Sequence, residues 1–266
     1  MQCVRRLQWA PMKVISLQSG SNGNSIYVEA AGVRLLFDAG ISGRQARERL
    51  RQGEREISAV DALLISHDHS DHARGMGVFQ RSFGLPIWVT EATLAAAQAR
   101  CRLGKLTQVK HFTAGSEIRF GPVRVETIPT PHDGVDGVAF VVDDGVHRLG
   151  ILTDLGHKFA GLQQLMQSLD AVVIESNFDP DMLEHGPYPD FLKQRIRGPA
   201  GHLSNHEAAE LLTPCIGGRL RWACLAHLSA ENNSQEVALQ THHLMNGQQL
   251  RLHVASRYEP TPVLDV

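Results

Sequence analysis

Cysteine is scarce in this chain: four in 266 residues, at positions 3, 101, 215 and 224. No two have Cys-x-x-Cys spacing, which argues against a disulfide framework and against a zinc site built on thiolates. A reducing, cytoplasmic setting is the simplest fit. No apolar run reaches 18 residues, so no membrane span is expected. Residues 1–11 carry two arginines but lack the apolar stretch of a secretory leader. There is no excess of charge of one sign: the formal net charge is −2, so nothing global draws the protein to nucleic acid or anionic lipid. A polyanionic ligand would have to be held locally. Repeats and low-complexity tracts are also absent.

What is present is ordinary for a globular protein: 42% hydrophobic and 20% charged residues, enough to bury a proper core. The length fits one large domain or two small ones. Met12 is followed at once by the strand-like run Lys13 to Leu17. Residues 1–11 are therefore expected to be a disordered extension, with Met12 as the natural start and a single domain over 12–266.

Short apolar runs alternating with glycine-rich turns predict a β-meander over Val14–Leu17, Ser25–Glu29 and Val33–Phe37. Next come a helix over 42–52, a strand over Ala62–Ile65, a helix over His72–Phe83, a strand over 86–89 and an alanine-rich helix over Glu91–Cys101. The second part is strand-rich again over 117–120, 123–128, 138–142 and 147–152. It continues with a helix over 159–168, a strand over 171–175, helices near 189–196 and 204–212, a strand over 220–226, a helix over 234–245 and a strand over 249–254. Two β-rich halves, each decorated with helices, predict an α/β fold of the α+β type, a four-layer αββα sandwich.

The densest signal is Ser66-His67-Asp68-His69-Ser70-Asp71-His72, directly after the apolar run Ala62 to Ile65. On an extended chain alternate residues share a side, so His67, His69 and Asp71 are expected to converge while His72 turns into the next element. Imidazole and carboxylate suit Zn, Mn or Fe. This many donors cannot easily share one tetrahedral ion, which points to two metals. Three other apolar strands end in one ligand-type residue: His132 after the strand to Ile128, Asp154 after 149–152, and His227 after 221–226. A lone histidine or aspartate there is usually structural; as a set they supply the remaining ligands.

In order and rough spacing, His67-x-His69-x-Asp71-His72, His132, Asp154 and His227 resemble the metallo-β-lactamase superfamily pattern over nearly the whole chain. The resemblance implies that His67, His69 and His132 hold one metal, that Asp71, His72 and His227 hold the other, and that Asp154 bridges both. Aspartate rather than cysteine at 154 is similar to the phosphodiesterase and thioesterase members. Ser19 to Ser25, Gly201-His-Leu-Ser-Asn205 and His227 to Asn233 look most like the YycJ/WalJ group, which implies 5′-to-3′ exodeoxyribonuclease activity. Asp68 departs from the commonest form of the first motif, where threonine often stands.

That chemistry suits phosphodiester cleavage. Two divalent ions about 3.5–4 Å apart can clamp a phosphate and turn a bridging water into hydroxide near neutral pH. The cofactors expected are therefore two divalent ions, zinc or manganese, and the partner is DNA or another phosphodiester. Asp71 doubles as a group to orient or deprotonate the water, and His202 is expected to assist the phosphate or the leaving group. Substrate contacts are expected from Arg195 and Arg197, whose forks match phosphate oxygens, from Ser204, and from Asn24 in the Ser19–Ser25 loop, whose N–H groups could face a phosphate. Asn232 and Asn233 read as caps of the helix after His227, and His157 as a weaker support residue. The alternatives are a small-molecule or cyclic phosphodiesterase, a glyoxalase-type thioesterase and an inactive scaffold.

Overall fold

The computed structural model describes residues 11–266. The expectation of disorder over 1–11 therefore lies outside the described residues, apart from Pro11. In chain order the strands are β1 (Lys13–Gln18), β2 (Ser25–Ala30), β3 (Val33–Phe37), β4 (Ala62–Leu64), β5 (Ile87–Val89), β6 (Val109–His111), β7 (Glu117–Phe120), β8 (Val123–Pro129), β9 (Val138–Asp143), β10 (Arg148–Leu152), β11 (Ala171–Glu175), β12 (Trp222–Ala226), β13 (Arg251–Val254) and β14 (Leu264–Asp265). The helices are α1 (Gly43–Gln52), α2 (Ser70–Ala73), α3 (Met76–Phe83), α4 (Glu91–Arg100), α5 (Leu162–Gln167), α6 (Pro180–His185), α7 (Asp190–Arg197), α8 (Asn205–Leu212) and α9 (Gln235–Asn246).

The strands form two seven-stranded sheets, ordered β14-β1-β2-β3-β4-β5-β6 and β13-β12-β11-β10-β9-β8-β7. Side chains alternate across each strand, and the alternation sorts the core into layers. Val14, Leu35, Phe37 and Leu64 of the first sheet meet Val125, Phe140, Ile151 and Val173 of the second in one buried cluster. Ile15, Leu36 and Leu63 point the other way, against Ala46 and Leu50 of α1 and Phe79 of α3. Val141, Val172 and Leu225 likewise face α5, α8 and α9 through Met166, Leu211 and Ala238. This is the expected αββα sandwich.

The β1–β2–β3 meander is antiparallel, whereas β3 to β6 and β10 to β13 run parallel. Parallel neighbours need helical crossovers, and the crossovers leave the carboxyl ends of the strands on one rim, where α/β sheets bind ligands. The sequence reading lacked β6, α6 and β14; β14 is two residues long and pairs with β1 from the far end of the chain.

The expected single helix from His72 to Phe83 is two helices. Gly75 approaches the Ala39 carbonyl so closely that a Cβ there would lie 2.5 Å from it. The Gly75 amide donates to that oxygen at 2.8 Å instead of continuing the ladder. No helix of the described residues is long and apolar enough to cross a membrane.

Candidate active site

Each side chain of the motif is delivered by a strand end. Beyond β4 the chain bends at Asp68 and reaches His69, the extended N-cap residue of α2. Asp71 and His72 follow on the first helical turn, and the His72 amide donates to the His69 carbonyl at 3.0 Å. His67 and His69 converge as expected, across a bend at Asp68 rather than along a straight strand, while Asp71 reaches the centre by helical geometry. Across the rim, Asp154 follows β10, His227 follows β12 and Asp38 follows β3; all three adopt left-handed φ, at 55°, 55° and 65°. Such backbone costs on the order of 1–3 kcal/mol per residue and collects where a fold aims side chains.

The seven side chains are brought together. Nitrogen atoms of His67, His69 and His132 lie within 4.8 Å of one another, as do donor atoms of Asp71, His72 and His227. Asp154 lies between the two groups: Oδ1 is 3.6 Å from His132 Nε2 and 3.6 Å from His227 Nε2, and Oδ2 is 3.2 Å from His72 Nε2. Asp71 Oδ2 is 3.6 Å from His72 Nε2 and 3.5 Å from His227 Nε2.

Neighbouring groups orient the rings. Asp38 Oδ2 accepts from His72 Nδ1 at 2.7 Å, and the Gly201 carbonyl accepts from His132 Nδ1 at 2.8 Å. Ser66 Oγ lies 2.9 Å from His67 Nδ1. These contacts leave Nε2 of each ring directed at the centre. His69 is reversed, with Nε2 3.2 Å from Asp133 and Nδ1 3.3 Å from His132 Nε2. Fixing the outer nitrogen so that the inner one keeps a lone pair is how metal-binding histidines are held.

His67 Nε2, His227 Nε2 and Asp154 Oδ2 are sealed from solvent and have no hydrogen-bond partner. Leaving such atoms unused costs about 1–3 kcal/mol each. Burial pushes the Asp154 carboxyl up, but the imidazoles of His227 and His72 outweigh it and hold it well below the usual carboxylate range. Burial, then the charge of His72, depresses His67 well below an ordinary histidine. Burial lowers His72 and His227, but the surrounding carboxylates, Asp154 first, outweigh it and hold both above an ordinary histidine, so without a metal the centre gathers positive charge on its rings. A buried carboxylate that needs cations, beside a His67 imidazole kept neutral with a free lone pair, fits divalent metal ions.

His202 lies on the wall of a cavity of about 200 Å³ that Asp71, Asp154 and His227 also line. Its Nδ1 is 2.5 Å from Glu175 Oε1, and the other Glu175 oxygen accepts from the amides of Leu155 and Leu203. Burial raises Glu175, yet the charges and hydrogen bonds of His202 and then His227 bring it down to about 2.

The expected substrate contacts divide. Arg195 lines the cavity but pairs with Asp133 at 2.7 Å. Arg197 is outside the cavity lining and pairs with Glu184 at 2.6 Å. Ser204 is the N-cap of α8, its hydroxyl engaged with Glu207 in a capping box. Asn24 is buried beneath the centre, its amide 2.9 Å from His72 Nε2 and 3.3 Å from Asp71 Oδ2. Two amides of its loop are used internally, Gly20 to Asn24 Oδ1 and Asn24 to the Asp71 carbonyl.

Asn232 and Asn233 do not cap α9; Ser234 does. Asn233 instead ties the Ser176 and Asn177 carbonyls to Asn205. His157 donates outward to the Pro199 carbonyl. Asp38, Ser66, Asp133, Glu175 and Asn177 escaped the sequence reading. Asp38 and Glu175 carry the same signal as Asp154, an acid at the end of an apolar strand.

A family model described as "Beta-lactamase superfamily domain" matches residues 33–224. The exodeoxyribonuclease WalJ of Streptococcus pneumoniae is 38% identical over 229 residues, 85% of this chain and 84% of the relative. The exodeoxyribonuclease YycJ of Bacillus anthracis is 34% identical over 222 residues, 84% of each chain. Among solved structures, the metallo-β-lactamase fold protein YhfI of Bacillus subtilis matches with a TM-score of 0.72 over 95% of this chain and 99% of that one, at 19% identity, which speaks to the fold alone. With 192 of its residues under the family model and identities of this size to two relatives over most of their length, the chain belongs to the β-lactamase superfamily, in the family that includes WalJ and YycJ.

Proposed function

We propose that the protein is a metal-dependent exodeoxyribonuclease that removes nucleotides in the 5′-to-3′ direction and works in the cytoplasm. The observation that carries the reading is the convergence of seven histidine and aspartate side chains, with inner atoms of His67, His227 and Asp154 buried without protein partners; the identity to WalJ and YycJ supports the choice of DNA. In this reading His67, His69 and His132 hold one ion, Asp71, His72 and His227 the other, and Asp154 both. The donor set has no thiolate and accepts zinc or manganese. Bound there, the ions supply Lewis acidity toward a phosphoryl oxygen and a nucleophile available near neutral pH.

The chain's own residues supply the rest. Asp71 is the more accessible of the two donor carboxylates and lines the cavity; it accepts the proton of the attacking water. Glu175 holds His202 by Nδ1, so Nε2 is the nitrogen left to donate to the departing oxygen. General acid–base help of this kind contributes typically about 10²–10⁴-fold. Tyr188, Leu192 and Ile196, from the α6–α7 segment, form the apolar side of the same cavity and would shield the terminal nucleotide from water.

The test is to incubate metal-loaded protein with 5′-labelled single- and double-stranded DNA, with RNA and with bis(p-nitrophenyl) phosphate. Stepwise loss of nucleotides from the 5′ end of DNA is expected. Hydrolysis of the small ester alone would identify a small-molecule phosphodiesterase instead, and hydrolysis of none would remove the phosphodiesterase reading.

A further inference from the structure

A second cavity, of about 220 Å³, lies between the segment after β12 and the segment after β13. It shares the wall residue Ser229 with the catalytic cavity, so the two are neighbours along one surface. Its remaining wall mixes polar Asn233, Ser234 and Ser256 with apolar Leu228, Ala230 and Ala255, and it carries Arg257 and Tyr258. Arg257 donates one hydrogen bond, from Nη1 to the Leu228 carbonyl at 3.1 Å. Its Nε has no partner, and no carboxylate of the described residues stands within ion-pairing distance of it. This sets it apart from Arg195 and Arg197, whose charges are matched by Asp133 and Glu184.

Gly20 makes room for the guanidinium. Its φ is +143°, and a Cβ there would lie 2.8 Å from Arg257 Nη1. Tyr258 is 67% exposed, yet its backbone is pinned: its amide donates to Ser256 Oγ at 3.0 Å, and its carbonyl accepts from Arg49. Asn22 holds the Arg257 carbonyl at 3.1 Å. An unmatched guanidinium beside an exposed aromatic ring on fixed backbone is the chemistry of a nucleotide site: a cation for the phosphate and a flat face for the base.

We propose that this cavity is the subsite for the nucleotide next to the scissile bond, with Arg257 on its phosphate and Tyr258 stacked on its base. The proposal rests on the phosphodiesterase reading and extends it from the bond that breaks to the strand that is held. It assigns the Ser19–Asn24 loop a supporting part, since the loop carries Gly20 and Asn22 beneath Arg257.

The experiment compares wild-type protein with Arg257→Ala and Tyr258→Ala on a fluorescein-labelled ten-residue oligothymidylate and on bis(p-nitrophenyl) phosphate, which is too short to reach the second cavity. Binding of the oligothymidylate to chelator-treated protein, followed by anisotropy, is expected to weaken by about 5- to 150-fold in Tyr258→Ala, the range of losing one stacked base. Arg257→Ala should lower the salt dependence of log K by about one ion. With metal restored, both variants should lose at least roughly tenfold more on the oligonucleotide than on the small ester, the loss of one base or phosphate contact. Equal losses on both substrates would show that Arg257 only steadies the His227 segment through Leu228, and would overturn the subsite. Unchanged oligonucleotide binding in Tyr258→Ala would overturn it too. A wild-type protein that cleaves neither substrate would bring down the underlying phosphodiesterase reading instead.

Discussion

His202 is the side chain whose role separates chemistry from metal binding. It touches Glu175 and the cavity; its donor atom lies within 4.8 Å of those of Asp154, Glu175 and His227, but its Nδ1 is engaged by Glu175. His202→Ala is expected to retain its metal content by elemental analysis and to lose about 10²–10⁴-fold in turnover on DNA; loss of metal would make it a ligand instead. A second histidine, packed behind the rim against Ser176, bears on stability. His242 is buried, its Nε2 lies 3.2 Å from Ser176 Oγ, and its Nδ1 has no partner. Burial first, then the charges of His243 and His206, pulls it down to about 4. Its folded value is thus below its unfolded one. As pH falls from about 6.5 toward 4 the unfolded chain takes the proton first, so stability present above pH 6.5 is lost across that window, by on the order of 3 kcal/mol. The urea midpoint of wild type should fall more steeply between about pH 6.5 and 5 than that of His242→Asn; parallel profiles would disprove this.

At the scale of elements, the centre depends on loops that close onto α2. The Asn24 and Ala39 amides donate to the Asp71 and His72 carbonyls at 2.7 Å, and the Gly40 amide to the Asn24 carbonyl at 2.9 Å. Gly40 is the tightest point: a Cβ there would fall 1.6 Å from the Asp71 carbonyl. Gly40→Ala must therefore part β3's loop from α2. It should lower the melting temperature, cost at least the roughly 1–3 kcal/mol typical of overpacking, and reduce bound metal. A variant with wild-type melting and full metal content would show that the loops are not coupled to the donors. This contact was not readable beforehand, because nothing in Asp38-Ala39-Gly40 says that residue 71 will lie against it.

For the whole molecule, the metal ions would join two sheets whose shared core is apolar. His67, His69, Asp71 and His72 come from the first sheet's rim, and His132, Asp154 and His227 from the second's. A ligand that binds only the folded state stabilises it by mass action, about 2.7 kcal/mol at a hundred times Kd. Removing the ions with a chelator should lower the melting temperature by roughly 5–10 °C for a chain of this size, with recovery when zinc or manganese is returned. A melting curve indifferent to chelation would count against a metal shared between the sheets.

Periodicity and residue type determined the layers and the strand ends where donors sit, because both are local properties of a chain: alternation survives in β3 and β4 whatever they pack against, and His67 to His72 are contiguous. Tertiary structure alone decided how those donors are aimed. Which ring nitrogen faces inward depends on Asp38 and Gly201 arriving from distant segments and on where Ser66 is held. Whether a cation is free depends on its neighbours: Arg197 is taken by Glu184, while Arg257, unremarkable in the sequence, is left unmatched beside the rim. Charge pairing and hydrogen-bond direction are set by through-space distance, and only the folded sheets bring groups as far apart in the chain as Asp71 and His227 to within 3.5 Å.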